Sequence, residues 1–496
     1  MLNVLFRAIR IGGGLWPTLR LCFSVIRREG WTGIVWRLNA ARRMSYIDKF
    51  EGSPDAVKTD YNRGYGVWRK RNESGDVEVE LAHVGNPIMI SILMPVFRPK
   101  PEFLERAIES VLRQSYDNWE LCICDDASND PDTTALLKRY VDLDDRIKLK
   151  VRLNNGHISA ATNDALSIAS GEFFAFLDND DELHIDALAY VRIAIHKHPN
   201  AELIYSDEDK IDENGNRHHP YFKPEFNPVL MLAQNMLTHL SVYRASTLVL
   251  LGGLAPGVDG AQDWDLALRY VDLRGYANIV HIPRVLYHWR EVAGSTARGI
   301  DEKSYALQSQ IKVVTQHLER NGRRAEVAPS PLVPGMLRVR NALTLPRPLV
   351  SIVIPTRDRH DLLQTCVSSL FEKTKYREFE LIVVDNESIE KATKLYLDQI
   401  QLEMGVRVLR AEIPFNYSTL NNLGVSQAKG DYVLLLNNDI EITNEDWLEE
   451  MLGWAQLSET GCVGAKLWYP NNTVQHAGVI LGINGLAGHV YRGIYG

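Results

Sequence analysis

Apolar runs and amphipathic stretches alternate along most of this chain. From residue 88 onwards, short apolar runs are followed by longer stretches whose apolar positions recur at helical spacing. Residues 90–96, 120–124, 147–151 and 173–177 predict strands, and residues 102–114, 133–141 and 160–170 predict helices. Nearly continuous apolar strands joined by helices are typical of a parallel sheet covered on both faces. We therefore expect an α/β fold with ligands at the carboxyl ends of the strands.

The same pattern occurs twice. Residues 350–356 repeat the strand at 90–96, 260 residues further along, and the next strand repeats at the same offset. At an offset of 259 the repeat continues, so that residues 430–439 match residues 171–180. Two copies of one strand-and-acid order in register predict two domains of the same fold, each with a mostly parallel sheet covered by helices.

Breaks in this pattern predict four segments of the chain. The segments are a basic amphipathic helical region with an irregular connector (1–86), the first domain (87–300), a helix with a Pro-rich linker (301–347) and the second domain (348–496). Clusters of Gly, Ser and Pro mark the connector, and five prolines between residues 329 and 348 mark the linker and its end.

The first fifty residues have a composition of their own. They contain nine Arg or Lys residues against Glu29 and Asp48, with aromatic residues between them. Such a stretch predicts amphipathic helices lying on an anionic membrane surface. The alternative is a helical cap on the next domain with its arginines in solvent. No apolar run approaches the ~20 residues of a spanning helix, and no signal-peptide pattern is present.

Composition and charge restrict the class of protein. A hydrophobic fraction of 45% and a charged fraction of 24% are typical of a soluble globular protein. The net charge of −8 argues against nucleic acid as a partner. The five cysteines lack metal-ligand spacing, and this fits a protein of the reducing cytoplasm.

Three polar motifs follow one another in a fixed order. They are Pro95-Val96 with Asp125-Asp126 at the ends of the first two strands, Asp178-Asn179-Asp180-Asp181 after the strand at 173–177, and Gln262-Asp263-Trp264-Asp265 at the start of a helix. With these motifs the chain resembles the family 2 glycosyltransferases, nucleotide-sugar enzymes of the GT-A fold. The resemblance covers residues 88–298 well and residues 348–496 in part. Tandem-domain enzymes that build bacterial surface polysaccharides such as O-antigen are most similar.

The resemblance implies a nucleotide site at the ends of the first two strands. Asp125 is expected to bind a uracil or thymine base, since a carboxylate can accept the imide N–H of either ring. Pro95, Val96 and Asp126 are expected to line the same site. The alternative is that these acids cap the turn that follows, because residues 127–131 are rich in turn formers.

The second motif is expected to hold Mg²⁺ or Mn²⁺. One or two carboxylates and the phosphate oxygens of the donor are the ligands that such an ion takes. Asp180 is expected to bind the metal because it aligns with Asp439 in the second copy, and Asp178 is expected to contact the ribose, or the metal through water. The alternative is a set of acids that stabilise the start of the helix at 185–195.

The third motif is expected to carry the catalytic base. In the family this position removes the proton of the acceptor hydroxyl during an inverting transfer, and Asp263 occupies it here. The family usually has Glu-Asp where this chain has Gln-Asp, which retains the aspartate. A later motif, His288-Trp289-Arg290, is expected to close over the diphosphate, with His288 completing the metal sphere and Arg290 pairing with phosphate. A purely structural histidine is the alternative. The role of the acids in residues 205–209 is left open.

The second copy contains part of this set. Its counterparts are Pro355, Thr356, Asp385, Asn437 and Asp439. Asp263 follows Asp180 by 83 residues, whereas only 57 residues follow Asp439, so the second copy has no counterpart of the base. We therefore expect an incomplete, vestigial second domain, either because the chain is a truncated form of a longer enzyme or because the domain has become a scaffold. Its Asn-Asn-Asp motif is similar to that of rhamnosyltransferases.

These observations predict an inverting, metal-dependent glycosyltransferase of cell-surface polysaccharide synthesis. The donor is expected to be a UDP- or dTDP-sugar, and the acceptor a glycan or lipid-linked sugar at the inner face of the plasma membrane. Other polysaccharide-synthesis proteins are expected partners. One alternative is a non-catalytic scaffold subunit that binds sugar nucleotides. A sugar nucleotidyltransferase is disfavoured because no Gly-rich phosphate loop follows either first strand, and a dehydrogenase because no Gly-x-Gly-x-x-Gly turn is present.

Overall fold

The structure is a computed structural model that describes residues 64–73, 77–291, 304–481 and 487–494 of the 496. The basic region predicted at residues 1–50 lies outside the described residues. The chain forms two compact units: the first contains the described residues up to Gly322 together with Val327–Arg338, and the second contains Arg323–Glu326 and the described residues from Val339 onwards. No helix within the described ranges is long and apolar enough to cross a membrane.

The first unit is a mixed α/β structure built on one large sheet. Its strands are β1 (Ile90–Val96), β2 (Trp119–Asp125), β3 (Ile147–Val151), β4 (Phe173–Phe176), β5 (Glu182–Leu183), β6 (Leu203–Ile211), β7 (Arg217–Tyr221), β8 (Ser241–Arg244) and β9 (Ile279–Arg290). Its helices are α1 (64–72), α2 (Val77–Ala82), α3 (Pro101–Leu112), α4 (Pro131–Leu143), α5 (His157–Leu166), α6 (Ala187–Lys197), α7 (Leu230–Ala233), α8 (Ala245–Leu250), α9 (Gln262–Arg274) and α10 (Ser304–Arg320).

The strand order of this sheet is β3-β2-β1-β4-β8-β6-β9-β5, with β7 paired to β6. The pairs β1–β2, β2–β3 and β1–β4 are parallel, whereas β8 is antiparallel to both β4 and β6. β1 and β2 are buried along their whole length, as expected for central strands with both faces covered. The predicted parallel sheet is thus confirmed, and an antiparallel strand extends it towards β9.

In the described residues that follow, three two-stranded sheets accompany a second, four-stranded sheet. The strands are β10 (Ala325–Pro329), β11 (Leu337–Asn341), β12 (Val350–Thr356), β13 (Phe379–Asp385), β14 (Arg407–Arg410), β15 (Tyr432–Leu435), β16 (Leu467–Trp468), β17 (Val474–His476), β18 (Val479–Leu481) and β19 (Ala487–His489). The two-stranded sheets are β10-β11, β16-β17 and β18-β19. The helices are α11 (His360–Lys373), α12 (Lys391–Met404), α13 (Tyr417–Ser426) and α14 (Trp447–Ala455). The helix predicted within the linker is α10, which packs against α9 of the first unit.

The second sheet repeats the first in order and register. Its order, β14-β13-β12-β15, corresponds to β3-β2-β1-β4, and all its pairs are parallel. Ile90 lies opposite Trp119 in the first unit, and Val350 lies opposite Phe379 in the second. The internal repeat predicted from the sequence is therefore present in the fold, down to the residue register of its central strands.

A buried polar contact holds the start of these strands in each copy. The Ser91 hydroxyl donates to Glu120 at 2.6 Å and accepts the N–H of Gly171 at 2.8 Å. A Cβ on Gly171 would lie 2.6 Å from the Ser91 hydroxyl oxygen, so only glycine permits this approach. The second unit repeats the contact with Ser351, which donates to Glu380 at 2.6 Å.

Candidate active site

A pocket opens at the carboxyl ends of β1 and β4 in the first unit. Asp178, which follows β4, lines it together with Pro95 from β1 and Asp263 from the first turn of α9. Helix α5 and the segment before β8 contribute Thr162 and His239. The fold therefore brings the second and third sequence motifs, 85 residues apart between Asp178 and Asp263, to one cavity.

Asp263 is held at the start of α9 by local contacts. Its Oδ1 accepts the N–H of Trp264 at 2.9 Å, and its Oδ2 accepts a hydrogen bond from the amide of Asn235 at 3.1 Å. The Trp264 side chain is buried, and its indole N–H donates to the Met231 carbonyl at 2.9 Å. Trp264 therefore anchors the helix, and the adjacent carboxylate faces the pocket from a rigid element.

The loop of residues 178–181, here called the acid loop, is fixed by its buried members. Asp181 accepts hydrogen bonds from the Tyr287 hydroxyl at 2.6 Å and from the N–H of Arg290 at 2.7 Å. Burial, followed by the charges of Asp180 and Asp178, raises the pKa of Asp181 well above its usual range. The Asn179 amide donates to the Pro95 carbonyl at 2.9 Å. The loop is thus bound to β1 and β9, with Asp178 at the pocket.

Arg290 is completely buried and its donors are taken up by the protein. Its Nε donates to the Asp180 carbonyl at 2.6 Å, its Nη1 donates to the Asp212 carbonyl at 3.0 Å, and its Nη2 donates to Glu182. The guanidinium also lies 4.6 Å from the centre of the Phe103 ring. The motif at residues 288–290 predicts that Arg290 pairs with phosphate; in the structure Arg290 holds the acid loop, and phosphate binding by it stays a prediction.

His288 also has a protein partner that the sequence did not reveal. Its Nδ1 lies 2.6 Å from Oδ1 of Asp209, and the residue is 7% exposed. It lines a separate pocket with Glu182, His184 and Arg217. The structure therefore does not bring His288 into the cavity that Asp178 and Asp263 share, where a place in the metal sphere was expected.

The two aspartates at the end of β2 form the turn that follows. Oδ1 of Asp125 accepts the N–H of Ser128 at 3.0 Å, so the alternative of a turn cap is realised. Asp126 pairs with Arg152 at 2.9 Å and accepts the N–H of Gly156 at 2.8 Å. Its own N–H donates to the carbonyl of Val96 at 2.8 Å. Base binding by Asp125 stays a prediction.

The corresponding edge of the second unit retains the turn but changes its charges. Asp385 accepts the N–H of Ser388 at 3.2 Å and pairs with Arg410 at 2.6 Å. The amide of Asn438 donates to the hydroxyl of Thr356 at 3.0 Å. Asn437, the counterpart of Asp178, accepts a hydrogen bond from the Tyr417 hydroxyl at 3.1 Å. Pro355 is the next-to-last residue of β12, as Pro95 is of β1, and Asp439 follows Asn438 in the loop.

Comparison with known proteins identifies the family. The sequence profile of Glycosyl transferase family 2 matches residues 91–248 and again residues 351–480. The chain belongs to glycosyl transferase family 2. This confirms the resemblance inferred from the motifs, including its occurrence in both copies.

Two curated relatives of this family 2 chain are longer than it is. An uncharacterized protein y4gI of Sinorhizobium fredii is 41% identical over 460 residues, which cover 92% of this chain and 50% of that protein. The O-antigen biosynthesis protein RfbC of Myxococcus xanthus is 37% identical over 432 residues, which cover 86% of this chain and 33% of that protein. The chain therefore spans half or less of the length of these relatives.

Among solved structures, the chain is similar to residues 1–349 of TarS from S. aureus, a structure in complex with UDP. The identity is 17% and the TM-score 0.37, covering 47% of this chain and 65% of that one.

The donor atoms at the acid loop fit one kind of metal site. Within the part of the chain that the structure describes, no group of three or more His, Cys, Asp or Glu residues could hold a metal ion by itself. Mg²⁺ and Mn²⁺ in nucleotide sites take one or two carboxylates and complete their sphere with phosphate oxygens and water. Asp178, which lines the cavity, fits that pattern, in which the ion and the donor bind together. Asp180 belongs to the same loop but is not among the residues that line the cavity, and metal binding by it stays a prediction.

One residue that lines this pocket was not predicted from the sequence. His239 lines the cavity and is held by Glu208, a member of the acidic segment 205–209 whose role was left open. The three acids of that segment, Asp207, Glu208 and Asp209, each lie within hydrogen-bond distance of a histidine ring, those of His281, His239 and His288 respectively. The acidic run was the available signal, but its partners come from distant parts of the chain.

Proposed function

We propose that the first unit is the catalytic domain of an inverting, metal-dependent glycosyltransferase. It would move a sugar from a UDP- or dTDP-sugar to a glycan or lipid-linked acceptor. The observation that supports the proposal is the shared pocket of Asp178 and Asp263, because two carboxylates from distant parts of the chain line one cavity. Family 2 membership supports the reaction class.

The two carboxylates would act on opposite sides of the sugar that is transferred. Asp263 accepts the proton of the acceptor hydroxyl as that oxygen forms its bond to the anomeric carbon. The bond from this carbon to the phosphate oxygen breaks at the same time, and its electron pair leaves with the nucleoside diphosphate. Attack from the face opposite the leaving group inverts the configuration at the anomeric carbon.

Asp178 and Asp180 would hold the divalent ion, which neutralises the charge that develops on the diphosphate. Asp181 and Arg290 serve this arrangement indirectly, since they fix the acid loop between β1 and β9. Asp125, Asp126 and Val96 would lie beside the base of the donor. The rigid attachment of the loop limits the reorganisation that binding requires.

A role in cell-surface polysaccharide synthesis is the biological setting we propose. The relative named as an O-antigen biosynthesis protein supports it through 37% identity over most of this chain. In this proposal the second unit does not catalyse transfer and instead supports a complex with other polysaccharide-synthesis proteins. Asn437 in place of Asp178 supports the assignment, because the exchange removes a carboxylate from the metal side.

Release of nucleoside diphosphate by the full chain tests the proposal. The protein is incubated with a set of UDP- and dTDP-sugars and Mn²⁺, with and without short glycan acceptors, and the free UDP or dTDP is quantified. We expect release from at least one donor, dependent on the metal and increased by acceptor, with an inverted anomeric configuration by NMR. Donor binding without any release would instead favour the scaffold. Absence of both binding and release would overturn the proposal.

A further inference from the structure

His239 occupies the same cavity as Asp178 and Asp263. It lies in the segment that leads into β8 and lines the pocket beside Asp178. Its side chain is 20% exposed, so it combines a protein-bound face with access to the cavity. A histidine in this position is a basic group close to Asp178, which is proposed to bind the metal, and to Asp263, which is proposed to accept the proton of the acceptor hydroxyl.

Two contacts fix the ring of His239. Its Nδ1 lies 3.1 Å from Oε2 of Glu208, and the backbone N–H of His239 donates to the same oxygen. The ring stacks on Tyr287, with centroids 4.6 Å apart and an interplanar angle of 18°. With Nδ1 engaged by Glu208, Nε2 is the ring nitrogen available to a ligand.

The surroundings of His239 favour a positive charge. Burial alone would lower its pKa, but the hydrogen bond and the charge of Glu208 outweigh burial and raise the pKa of His239. Lys223 shares this carboxylate, since its Nζ lies 3.5 Å from Glu208 and donates to the His239 carbonyl at 2.7 Å, while burial lowers the pKa of Lys223 and so weakens its claim on the charge of Glu208. Two basic residues thus share one buried carboxylate beside the pocket.

We propose that His239 is a phosphate-binding residue, which donates from Nε2 to the diphosphate of the nucleotide donor. The inference rests on the proposed function, since it assigns a further residue to the same site. The bond between the anomeric carbon and the phosphate oxygen leaves its electron pair on the diphosphate. A cationic histidine forms a stronger hydrogen bond to the released nucleoside diphosphate than to the intact nucleotide-sugar, because the released diphosphate carries more negative charge. Glu208 is then the positioning residue that fixes the ring and its charge.

The neighbouring pairs provide an internal contrast. Asp207 and Asp209 flank Glu208 on β6, and successive side chains of a strand point to opposite faces. His281 lies 2.8 Å from Asp207 and His288 lies 2.6 Å from Asp209, and neither residue lines the pocket. His281 therefore gives a matched control, a histidine paired with a carboxylate of the same strand outside the cavity.

The test compares the affinities of the full chain for UDP and UMP, and for dTDP and dTMP, with Mn²⁺ present. The two ligands of each pair differ by one phosphate, so the ratio of their affinities measures how much the second phosphate contributes to binding. We expect His239→Gln to weaken diphosphate binding about tenfold or more and monophosphate binding much less, as for the loss of a charge-assisted hydrogen bond. His239→Lys should recover part of the wild-type ratio of diphosphate to monophosphate affinity. Glu208→Gln should lower this ratio, and His281→Gln should leave it unchanged.

The possible results separate this inference from the proposed function. Wild-type protein that binds none of these nucleotides would contradict the proposed function itself. Wild-type protein that binds UDP or dTDP, with an unchanged diphosphate-to-monophosphate ratio in His239→Gln and Glu208→Gln, would overturn the role of His239 alone. Should His239→Gln fail to fold by circular dichroism, Glu208→Gln decides, and a wild-type ratio of diphosphate to monophosphate affinity in that variant would overturn the inference.

Discussion

The hydroxyl of Tyr287 donates a hydrogen bond to Oδ2 of Asp181 across 2.6 Å. The hydroxyl oxygen of Tyr287 in turn accepts the backbone N–H of Asp178 at 3.2 Å. Tyr287 is fully buried and Asp181 is 1% exposed, so water does not compete for either group. A single phenol on β9 therefore fixes the acid loop at both ends, and its ring also packs against His239.

Replacing Tyr287 by Phe should destabilise the first unit and loosen the acid loop. The change leaves Asp181 buried without one of its two donors, which costs about 1–3 kcal/mol. We expect a lower free energy of unfolding in urea, and weaker binding of UDP in the presence of Mn²⁺. Tyr276→Phe, at a position 56% exposed, is the control and should change neither quantity. Unaltered stability in Tyr287→Phe would show that this hydrogen bond does not hold the loop.

Asp263→Asn should abolish transfer while nucleotide binding persists. The amide keeps the size of the side chain but cannot accept the acceptor's proton, and loss of a general base costs about 10²–10⁴-fold in rate. The rate of UDP or dTDP release with acceptor, and the dissociation constant of the nucleotide, are the two measurements. Asp265→Asn serves as control because Asp265 lies in the same turn and pairs with Arg269 at 2.7 Å. Transfer at the wild-type rate by Asp263→Asn would remove Asp263 from the mechanism.

Removal of the metal-side carboxylates should reduce the effect of Mn²⁺ on nucleotide affinity. Asp178→Ala and Asp180→Ala are each compared with the wild type, with Mn²⁺ and with EDTA. Because the ion would bind the loop and the diphosphate together, we expect the gain in UDP affinity with Mn²⁺ to shrink in both variants. The affinity measured in EDTA should change much less. An undiminished gain in either variant would exclude that residue as a ligand.

The strands and their repeat could be predicted because local pattern determines them. The central strands β1, β2, β12 and β13 are almost uniformly apolar, so a few consecutive residues are enough to predict that each strand is buried. The resemblance placed Asp178 and Asp263 in one site, and the structure brings both to one pocket. The family could be recognised from the sequence because its polar motifs directly follow these predictable strands.

Contacts between distant segments could not be predicted in this way. The sequence suggests Arg290 as a partner of phosphate, yet the fold buries it against residues 180, 182 and 212. His239 carries no motif of its own, and its place in the pocket depends on Glu208, 31 residues earlier. Such pairings arise from the order of β8, β6 and β9 in the sheet, which periodicity alone does not specify.

Glu120 should make the stability of the first unit depend on pH at the acid end. Burial opposes its ionisation, but hydrogen bonds from Lys148, Ser91 and Ser170 outweigh burial and lower the pKa of Glu120 to about 2 from the ordinary 4.5. A lowered folded-state pKa stabilises the protein above the unfolded value, and this contribution is lost as the pH falls from about 4.5 towards 2.

Glu120→Gln should therefore lower the free energy of unfolding at pH 7 by about 2–3 kcal/mol. The difference from the wild type should narrow as the pH is reduced below 4.5, and urea unfolding at several pH values measures it. Glu105→Gln, at a side chain 41% exposed, is the control. A difference that stays constant from pH 7 down to pH 3 would show that ionisation of Glu120 is not its source.

Gly171→Ala should disrupt the polar contact that joins the starts of β1, β2 and β4. The added Cβ would lie 2.6 Å from the Ser91 hydroxyl oxygen and 2.8 Å from the Met89 carbonyl, and backbone cannot yield as a flexible side chain can. Overpacking of this kind costs about 1–3 kcal/mol. Gly85→Ala is the matched control, because a Cβ there meets nothing within 4 Å. We expect Gly171→Ala to lower the urea midpoint of the first unit and Gly85→Ala to leave it unchanged. Equal midpoints in the two variants would show that the glycine is not required, and that β1 can move away from residue 171 without loss of stability.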